Sequence, residues 1–267
     1  MMIQRIAVLS TLLLLLVQLS SALAITEERR LAIAALVGES LHYDMSFLWF
    51  ERLAVGSIEF LPTADPAVYL LRMEARTRGL AARFTRNRIE KFETIVDIGS
   101  QGQLRPLSHS SHRITGSGDS ISQRTARYTF DYQAGTIRYE RIKNDKVHED
   151  EWFDLDPEKP VYDVVSALYN LRLGHFGTPG TDHILIPTFH HRGEQDIVVE
   201  PLGKVGSSEH AFFGAGERLC RVQMDPAIFN TRSRDVLISF DEQMRLDKGI
   251  IKRIVGLGDL RGVLRNP

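Results

Sequence analysis

Cysteine is almost absent from this chain of 267 residues, which contains only Cys220. A lone thiol cannot form an intramolecular disulfide, so stability must come from burial of apolar side chains. The 43% content of hydrophobic residues is sufficient for a substantial core. Cys220 lies in an alternating, strand-like stretch with no activating base in its local sequence. We therefore expect a buried structural thiol and not a nucleophile.

An excess of charge of either sign is also lacking. The chain carries 33 Lys and Arg residues against 34 Asp and Glu residues, for a formal net charge of −1. Proteins dedicated to nucleic acids usually present a net basic face. The composition therefore predicts no nucleic-acid partner.

Motifs that would identify catalytic or cofactor chemistry are missing. The sequence has no Gly-x-Ser-x-Gly elbow, and its glycine-rich segment 256–262 departs from the dinucleotide fingerprint by one position. Five histidines lack the spacing of a zinc site: His175, His183, His190, His191 and His210. We therefore predict no metal and no cofactor, and we assign no catalytic residue. The sequence favours a non-enzymatic protein over an enzyme.

Long apolar runs are confined to the first 24 residues. Arg5 precedes the apolar stretch 6–17, and Ala22-Leu23-Ala24 has the small residues of a cleavage site. The apolar stretch is too short to span a bilayer comfortably, which takes roughly 20 residues. This pattern is typical of a secretory signal peptide. We expect residues 1–24 to be removed and 25–267 to form a single β-rich domain, soluble and located in the periplasm or secreted.

Alternation of apolar and polar residues dominates the rest of the chain. It predicts a long half-buried strand from Leu41 to Trp49, and short strands at close intervals after it. A short helix is predicted at 26–37, a second helix at 161–173, and a polar loop at 99–122. The fold class expected is mainly β: a curved antiparallel sheet or a partly closed β-barrel with one docked helix and a short N-terminal helix.

Several segments resemble an uncharacterised exported bacterial family, domain of unknown function 3108. The most specific is the helix that spaces four polar residues three apart, Asp163, Ser166, Tyr169 and Arg172. Others are the segments 38–43, 56–58, 104–107, 128–131 and 249–264. The resemblance implies a curved antiparallel sheet, and it brings no established activity or catalytic residue. The spacing keeps the four polar residues near one face of the helix, beside its apolar stripe, and we expect this polar row to fasten the helix onto the sheet.

A candidate ligand site follows from the predicted inner face of the sheet. The face is rich in large apolar residues, which one helix covers only in part: Tyr43, Phe47, Trp49, Tyr69 and Met73. An arginine-rich run at 72–91 follows at once, and we assign Arg83 and Arg86 to an anionic head group. The function expected is non-enzymatic binding of an apolar or amphipathic envelope ligand such as a lipid.

Two other functions fit the same sequence. Side chains could fill the interior, and the protein would then be a structural or assembly partner of another envelope protein. A hydrolase acting on envelope polymers is the third hypothesis. An internal apolar pocket, an exposed apolar patch or free sheet edge, and converging titratable groups in a cleft would distinguish the three.

Overall fold

A computed structural model describes residues 27–47, 50–203, 206–214, 218–255 and 258–265. The predicted signal peptide and Trp49 lie outside these ranges. The strands are β1 (Ser40–Phe47), β2 (Phe50–Pro62), β3 (Val68–Thr77), β4 (Ile89–Ile98), β5 (Leu104–Thr115), β6 (Ser122–Asp131), β7 (Thr136–Lys143), β8 (Lys146–Asp154), β9 (Ile184–His190), β10 (Gly193–Pro201), β11 (Arg218–Gln223), β12 (Asp235–Phe240), β13 (Leu246–Ile254) and β14 (Gly258–Leu264). The helices are α1 (27–36), α2 (Gly79–Phe84), α3 (Val164–Arg172) and α4 (Ser207–Phe213).

All the strands of the described ranges belong to one antiparallel sheet of fourteen strands. The order is β8-β7-β6-β5-β4-β3-β2-β1-β14-β13-β12-β11-β10-β9. Each strand pairs with the next in sequence except β8 and β9, which form the two edges, and β1 pairs with β14. In that pairing Tyr43 lies opposite Leu264, and Phe47 lies opposite Leu260. The sheet therefore consists of an N-terminal half, β1–β8, and a C-terminal half, β9–β14.

The sheet curls until its two edges approach each other without closing into a ladder. Phe189 of β9 packs edge-on against Phe153 of β8 with ring centroids 5.1 Å apart. His191 stacks on Tyr139 of β7 at 4.9 Å. The predicted curved antiparallel sheet is confirmed, and it is open at β8 and β9.

Helix α3 connects the two halves and lies against the inner face of the curled sheet. Asp163 caps the helix and accepts hydrogen bonds from the backbone N–H groups of Val165 and Ser166, while the Ser166 side chain completes a capping box. Its apolar residues face two ways because they recur around the helix. Val165 and Tyr169 pack on the N-terminal half, and Ala167 and Leu171 pack on the C-terminal half. The core thus lies on both sides of α3.

Helix α1 covers one end of the N-terminal half. Ile33 is fully buried in the same core cluster as Leu41, Phe60 and Tyr169. The Arg29 guanidinium donates a hydrogen bond of 2.6 Å to the carbonyl of Gln101. The short N-terminal helix predicted from the sequence is present over 27–36. Among the described residues, no helix combines the length and the apolar character needed to cross a membrane.

The predicted polar loop at 99–122 is wrong, because half of it, Leu104–Thr115, is strand β5. Its inner face carries polar residues that find partners inside the protein. His109 contacts Thr94 and Asp163, and Arg113 contacts Glu90. A strand whose inward side chains are polar lacks the alternation by which strands are recognised. Helix α4 was not predicted either.

Candidate ligand cavity

An apolar cavity of about 240 Å³ lies between α3 and the inner face of the sheet. Val164 and Leu168 line it from α3, and Phe229 lines it from the segment between β11 and β12. The sheet contributes residues of β1–β4 and β9–β14 to the lining, such as Met45, Ile58, Met73, Ile238, Ile251 and Leu260. The cavity therefore spans the seam at which the first strand pairs with the last.

Small residues on neighbouring strands account for this empty space. The strand registers place Gly249 opposite Gly262, Gly262 opposite Met45, and Met45 opposite Ala54. Three of these four inward positions carry no side chain beyond a methyl group, so the sheet face opposite α3 is hollowed. A Cβ atom added at Gly262 would meet no heavy atom within 4 Å. The cavity is thus set by residue size along one row of the sheet.

Glycine at position 56 lets the Met45 side chain lie flat on the sheet beside the cavity. A Cβ there would collide with the Met45 methyl group and would lie 3.1 Å from the carbonyl oxygen of Glu74. Met45 is consequently part of the cavity wall and does not fill the space. Met side chains adapt readily to different neighbours, which suits a wall that accommodates a ligand.

One end of the cavity carries a charged cluster with an excess of positive charge. Glu90 lies on the inner face of β4 and Arg88 immediately precedes that strand, and both line the cavity. The Nε groups of Arg88 and Arg113 donate to the same carboxylate oxygen of Glu90, at 2.6 Å and 2.5 Å. The side chains of Arg88 and Glu90 are only 17% and 18% exposed. Two guanidinium groups therefore share one carboxylate at the end of an apolar space.

A second polar cluster lies at the start of α3, and its groups form hydrogen bonds with one another that hold the helix in place. The Asp163 carboxylate accepts a hydrogen bond of 2.7 Å from Thr94, lies 3.2 Å from His109 Nδ1 and accepts one of 2.6 Å from Ser166. Burial acts to raise the pKa of Asp163, but the charge and hydrogen bonds of its neighbours outweigh burial and hold it below its usual range. The cluster caps and anchors the helix.

The polar row predicted on α3 does fasten it to the sheet. The Arg172 guanidinium forms two hydrogen bonds with Glu39, of 2.6 Å and 2.7 Å, and a third with the carbonyl of Met244. Tyr169 is fully buried and its hydroxyl lies 3.4 Å from Glu39. The sequence pattern did not single out Asn170. Its side-chain amide accepts a hydrogen bond from the N–H of Leu104 and donates one to the carbonyl of Leu104, as the backbone of a neighbouring strand would.

The structure brings some of the predicted ligand residues together. Tyr43, Phe47 and Met73 line the cavity. Tyr69 lies outside the lining and packs against Phe60 with ring centroids 5.2 Å apart. Trp49 is outside the described residues.

The predicted arginine run separates into groups with different surroundings. On the outer face of the sheet Arg72 forms ion pairs with Glu59 and Glu93. Arg88 is the member that joins the charged cluster at the cavity. Arg83, on α2, and Arg86, just after it, are exposed and do not line the cavity. Sequence alone could not separate them, because the division depends on which residues of the β3–β4 connection continue the strand.

These features define a class of protein: an open, curled antiparallel sheet that holds a helix and an apolar cavity in its interior. A family model described as "Protein of unknown function (DUF3108)" matches residues 42–261, and the chain belongs to this family. No curated protein matches the sequence. The chain is similar in structure to a beta-barrel-like protein of the domain of unknown function DUF1849 from Brucella abortus. That comparison has a TM-score of 0.45 and 12% identity, and it covers 86% of this chain and 97% of the other.

Proposed function

We propose that this protein binds an amphipathic lipid with a single acyl chain and an anionic head group. The observation that carries the proposal is an apolar cavity of about 240 Å³ that ends at a cluster of two arginines and one glutamate. Ligand sites are typically concave and mostly apolar, with a few polar groups that fix orientation. The tail would lie between α3 and the glycine-lined face of the sheet.

The head group would contact Arg88 and Arg113. Glu90 supplies one negative charge to two guanidinium groups, so an anionic head group would bring the cluster to neutrality. Hydrogen bonds between charged partners are roughly twice as strong as neutral ones, and the side chains here are largely shielded from water. Arg83 and Arg86 lie outside the cavity lining, so Arg88 takes the role that the sequence pattern assigned to them.

The proposed location is the periplasm. The apolar stretch and small-residue site within residues 6–24 support export. A soluble binder of lipid would be useful in a compartment bounded by two membranes, because single-chain lipids leave one bilayer for another only through water. The assembly-partner hypothesis required an interior filled by side chains. The apolar cavity therefore supports the ligand-binding hypothesis over the assembly-partner hypothesis.

The experiment that tests the proposal is titration of the protein with a fluorescent fatty acid. Gly262→Val would place a branched side chain in the cavity, where a Cβ meets nothing within 4 Å. We expect it to weaken binding at least tenfold. The matched control is Gly203→Val, since Gly203 is exposed and a Cβ there also meets nothing within 4 Å. Arg88→Ala should weaken binding and make it less sensitive to salt.

Two outcomes would contradict the proposal. One is a wild-type protein that binds no fatty acid at millimolar concentration. The other is a Gly262→Val protein that folds normally and binds as tightly as the Gly203→Val control.

A further inference from the structure

Helix α2 exposes two large apolar side chains on one face. Leu80 and Phe84 are 61% and 85% exposed, and they are four residues apart, so they lie on the same side of the helix. Ala81 is buried and holds α2 against the protein. Phe84 is more exposed than any other large hydrophobic residue of the described ranges. This pair forms an apolar ridge that nothing in the chain covers within those ranges.

Positive charge surrounds the ridge. Arg78, Arg83 and Arg86 are all exposed, and no acidic residue occurs between Arg78 and Ile89. In the part of the chain that the structure describes, the guanidinium groups of Arg83 and Arg86 have no ion-pair partner. Three other arginines nearby are paired: Arg72 with Glu59 and Glu93, Arg76 with Glu74, and Arg88 with Glu90. The ridge is therefore complementary to an apolar layer bordered by negative charge.

Backbone hydrogen bonds hold α2 in a defined position. Thr85 and Asn87 donate from their N–H groups to the carbonyls of Ala81 and Ala82, at 2.9 Å and 2.6 Å. Arg86 and Asn87 both adopt positive φ angles, which end the helix. The N–H of Gly116, at the end of β5, then donates to the Arg86 carbonyl at 2.5 Å. The exposed side chains are thus displayed from a fixed backbone.

The ridge adjoins the charged end of the cavity. Thr77 ends β3 immediately before α2, and its N–H and hydroxyl both donate to the carbonyl of Arg88, at 3.1 Å. Thr77 and Arg88 both line the cavity. A surface that receives α2 would therefore lie next to the end of the cavity at which the arginines converge.

We infer that α2 docks the protein onto a bilayer surface rich in anionic phospholipid. Leu80 and Phe84 would enter the boundary between head groups and acyl chains, and Arg83 and Arg86 would contact lipid phosphates. The inference deepens and rests on the proposed function, because docking would bring the cavity to the membrane that supplies or receives its ligand. Apolar side chains with flanking arginines are the combination by which surface helices bind anionic membranes.

The test is flotation with vesicles of phosphatidylethanolamine and phosphatidylglycerol, compared with vesicles of phosphatidylcholine alone. We expect the wild-type protein to float with the anionic vesicles and to be released by salt. Phe84→Ser and Arg83→Glu should each lower the bound fraction at least fivefold. The controls are Leu185→Ser, at an apolar residue of β9 that is 56% exposed, and Arg30→Glu, at an exposed arginine of α1.

A separate titration without vesicles distinguishes this inference from the proposed function. Leu80→Ser and Phe84→Ser should bind the fluorescent fatty acid within twofold of wild type. Normal fatty-acid binding with no flotation on anionic vesicles would overturn docking and leave the proposed function standing. Equal flotation on phosphatidylcholine, or flotation unchanged by Phe84→Ser and Arg83→Glu, would also overturn docking. Absence of fatty-acid binding would overturn the proposed function by itself.

Discussion

The two halves of the sheet hold the central helix by different means. The N-terminal half makes polar contacts along the length of α3: Thr94 and His109 with Asp163, Leu104 with Asn170, and Glu39 with Arg172. The C-terminal half surrounds α3 with apolar side chains such as Ile186, Val199, Val222 and Ile238. Its polar contribution to α3 is the Met244 carbonyl that accepts from Arg172.

This difference shows which half determines the position of the helix. Hydrogen bonds are directional, so the polar contacts fix both the rotation and the axial position of α3 against β4 and β5. Apolar contacts are not directional and tolerate small shifts. We therefore expect α3 and the N-terminal half to behave as one unit, with adjustment to a ligand taken up along the C-terminal face.

The largest effect should come from removing the ion pair that ties α3 to the N-terminal half. Arg172→Leu leaves the Glu39 carboxylate without its partner, and breaking a pair of this kind costs about 3–5 kcal/mol. Denaturant unfolding would measure the loss. Arg76→Ala, which breaks a pair with Glu74 at the surface, is the control and should cost less than about 1 kcal/mol. Equal losses would show that Arg172 does not anchor the helix.

A smaller effect is expected when the apolar contact with the C-terminal half is reduced. Leu171 is 3% exposed in the core cluster of that half and also lines the cavity, and truncation to Ala should cost about 2–4 kcal/mol through lost contacts and added empty volume. Hydrogen exchange should rise in β9–β12 and stay unchanged in β4 and β5. A uniform rise across both halves would contradict the division drawn above.

Truncation of a partly buried residue of the same helix should cost less again. Leu168 lines the cavity as Leu171 does, but it is only partly buried. Leu168→Ala enlarges a cavity that already exists, and we expect a loss of about 2 kcal/mol or less, at the lower end for such truncations. A loss as large as that of Leu171→Ala would show that the two positions are equivalent.

The smallest predicted effect concerns acid pH and the approach of the two sheet edges. Burial lowers the pKa of His190 below the ordinary value of 6.5, as does the neighbouring His191, while Asp225 at 3.7 Å acts in the opposite direction. The unfolded chain then binds protons more readily than the folded one. Stability should be constant above about pH 6.5 and decline as the pH falls below it.

Replacement of His190 isolates that contribution. His190→Gln should show a weaker decline in the free energy of unfolding between pH 7.5 and pH 5.5 than the wild type, when both are measured by denaturant titration. Identical declines would mean that His190 does not contribute to the pH dependence.

Most of the sheet could be predicted because its strands expose one face and bury the other. In β3 apolar and polar residues alternate from Leu71 to Arg76, and this alternation marks the strand in the sequence. In β5 the inward residues are polar, so no alternation marks the strand. In a continuing strand His190 and His191 would point to opposite faces, but their rings lie 3.9 Å apart, because β9 ends at His190 and the chain turns there.

The cavity could be predicted only in outline. The sequence showed large apolar residues on an inner face and a helix too short to cover it. The space itself depends on Gly249, Gly262 and Ala54 lying in adjacent strands, and those residues are distant in sequence. Pairing of the first strand with the last is a long-range contact that no local pattern reports.

That same pairing sets an order of events during synthesis. Strand β1 is made early, yet its partner β14 emerges almost a whole chain later, a delay on the order of 10–40 s at ~5–20 residues per second. Until then one edge of β1 has no neighbour, and the face of α3 that the C-terminal half covers stays in contact with water. A nascent chain of this design exposes an apolar helix face and a bare strand edge until β14 is made, and unpaired strand edges of this kind are sites at which chains aggregate.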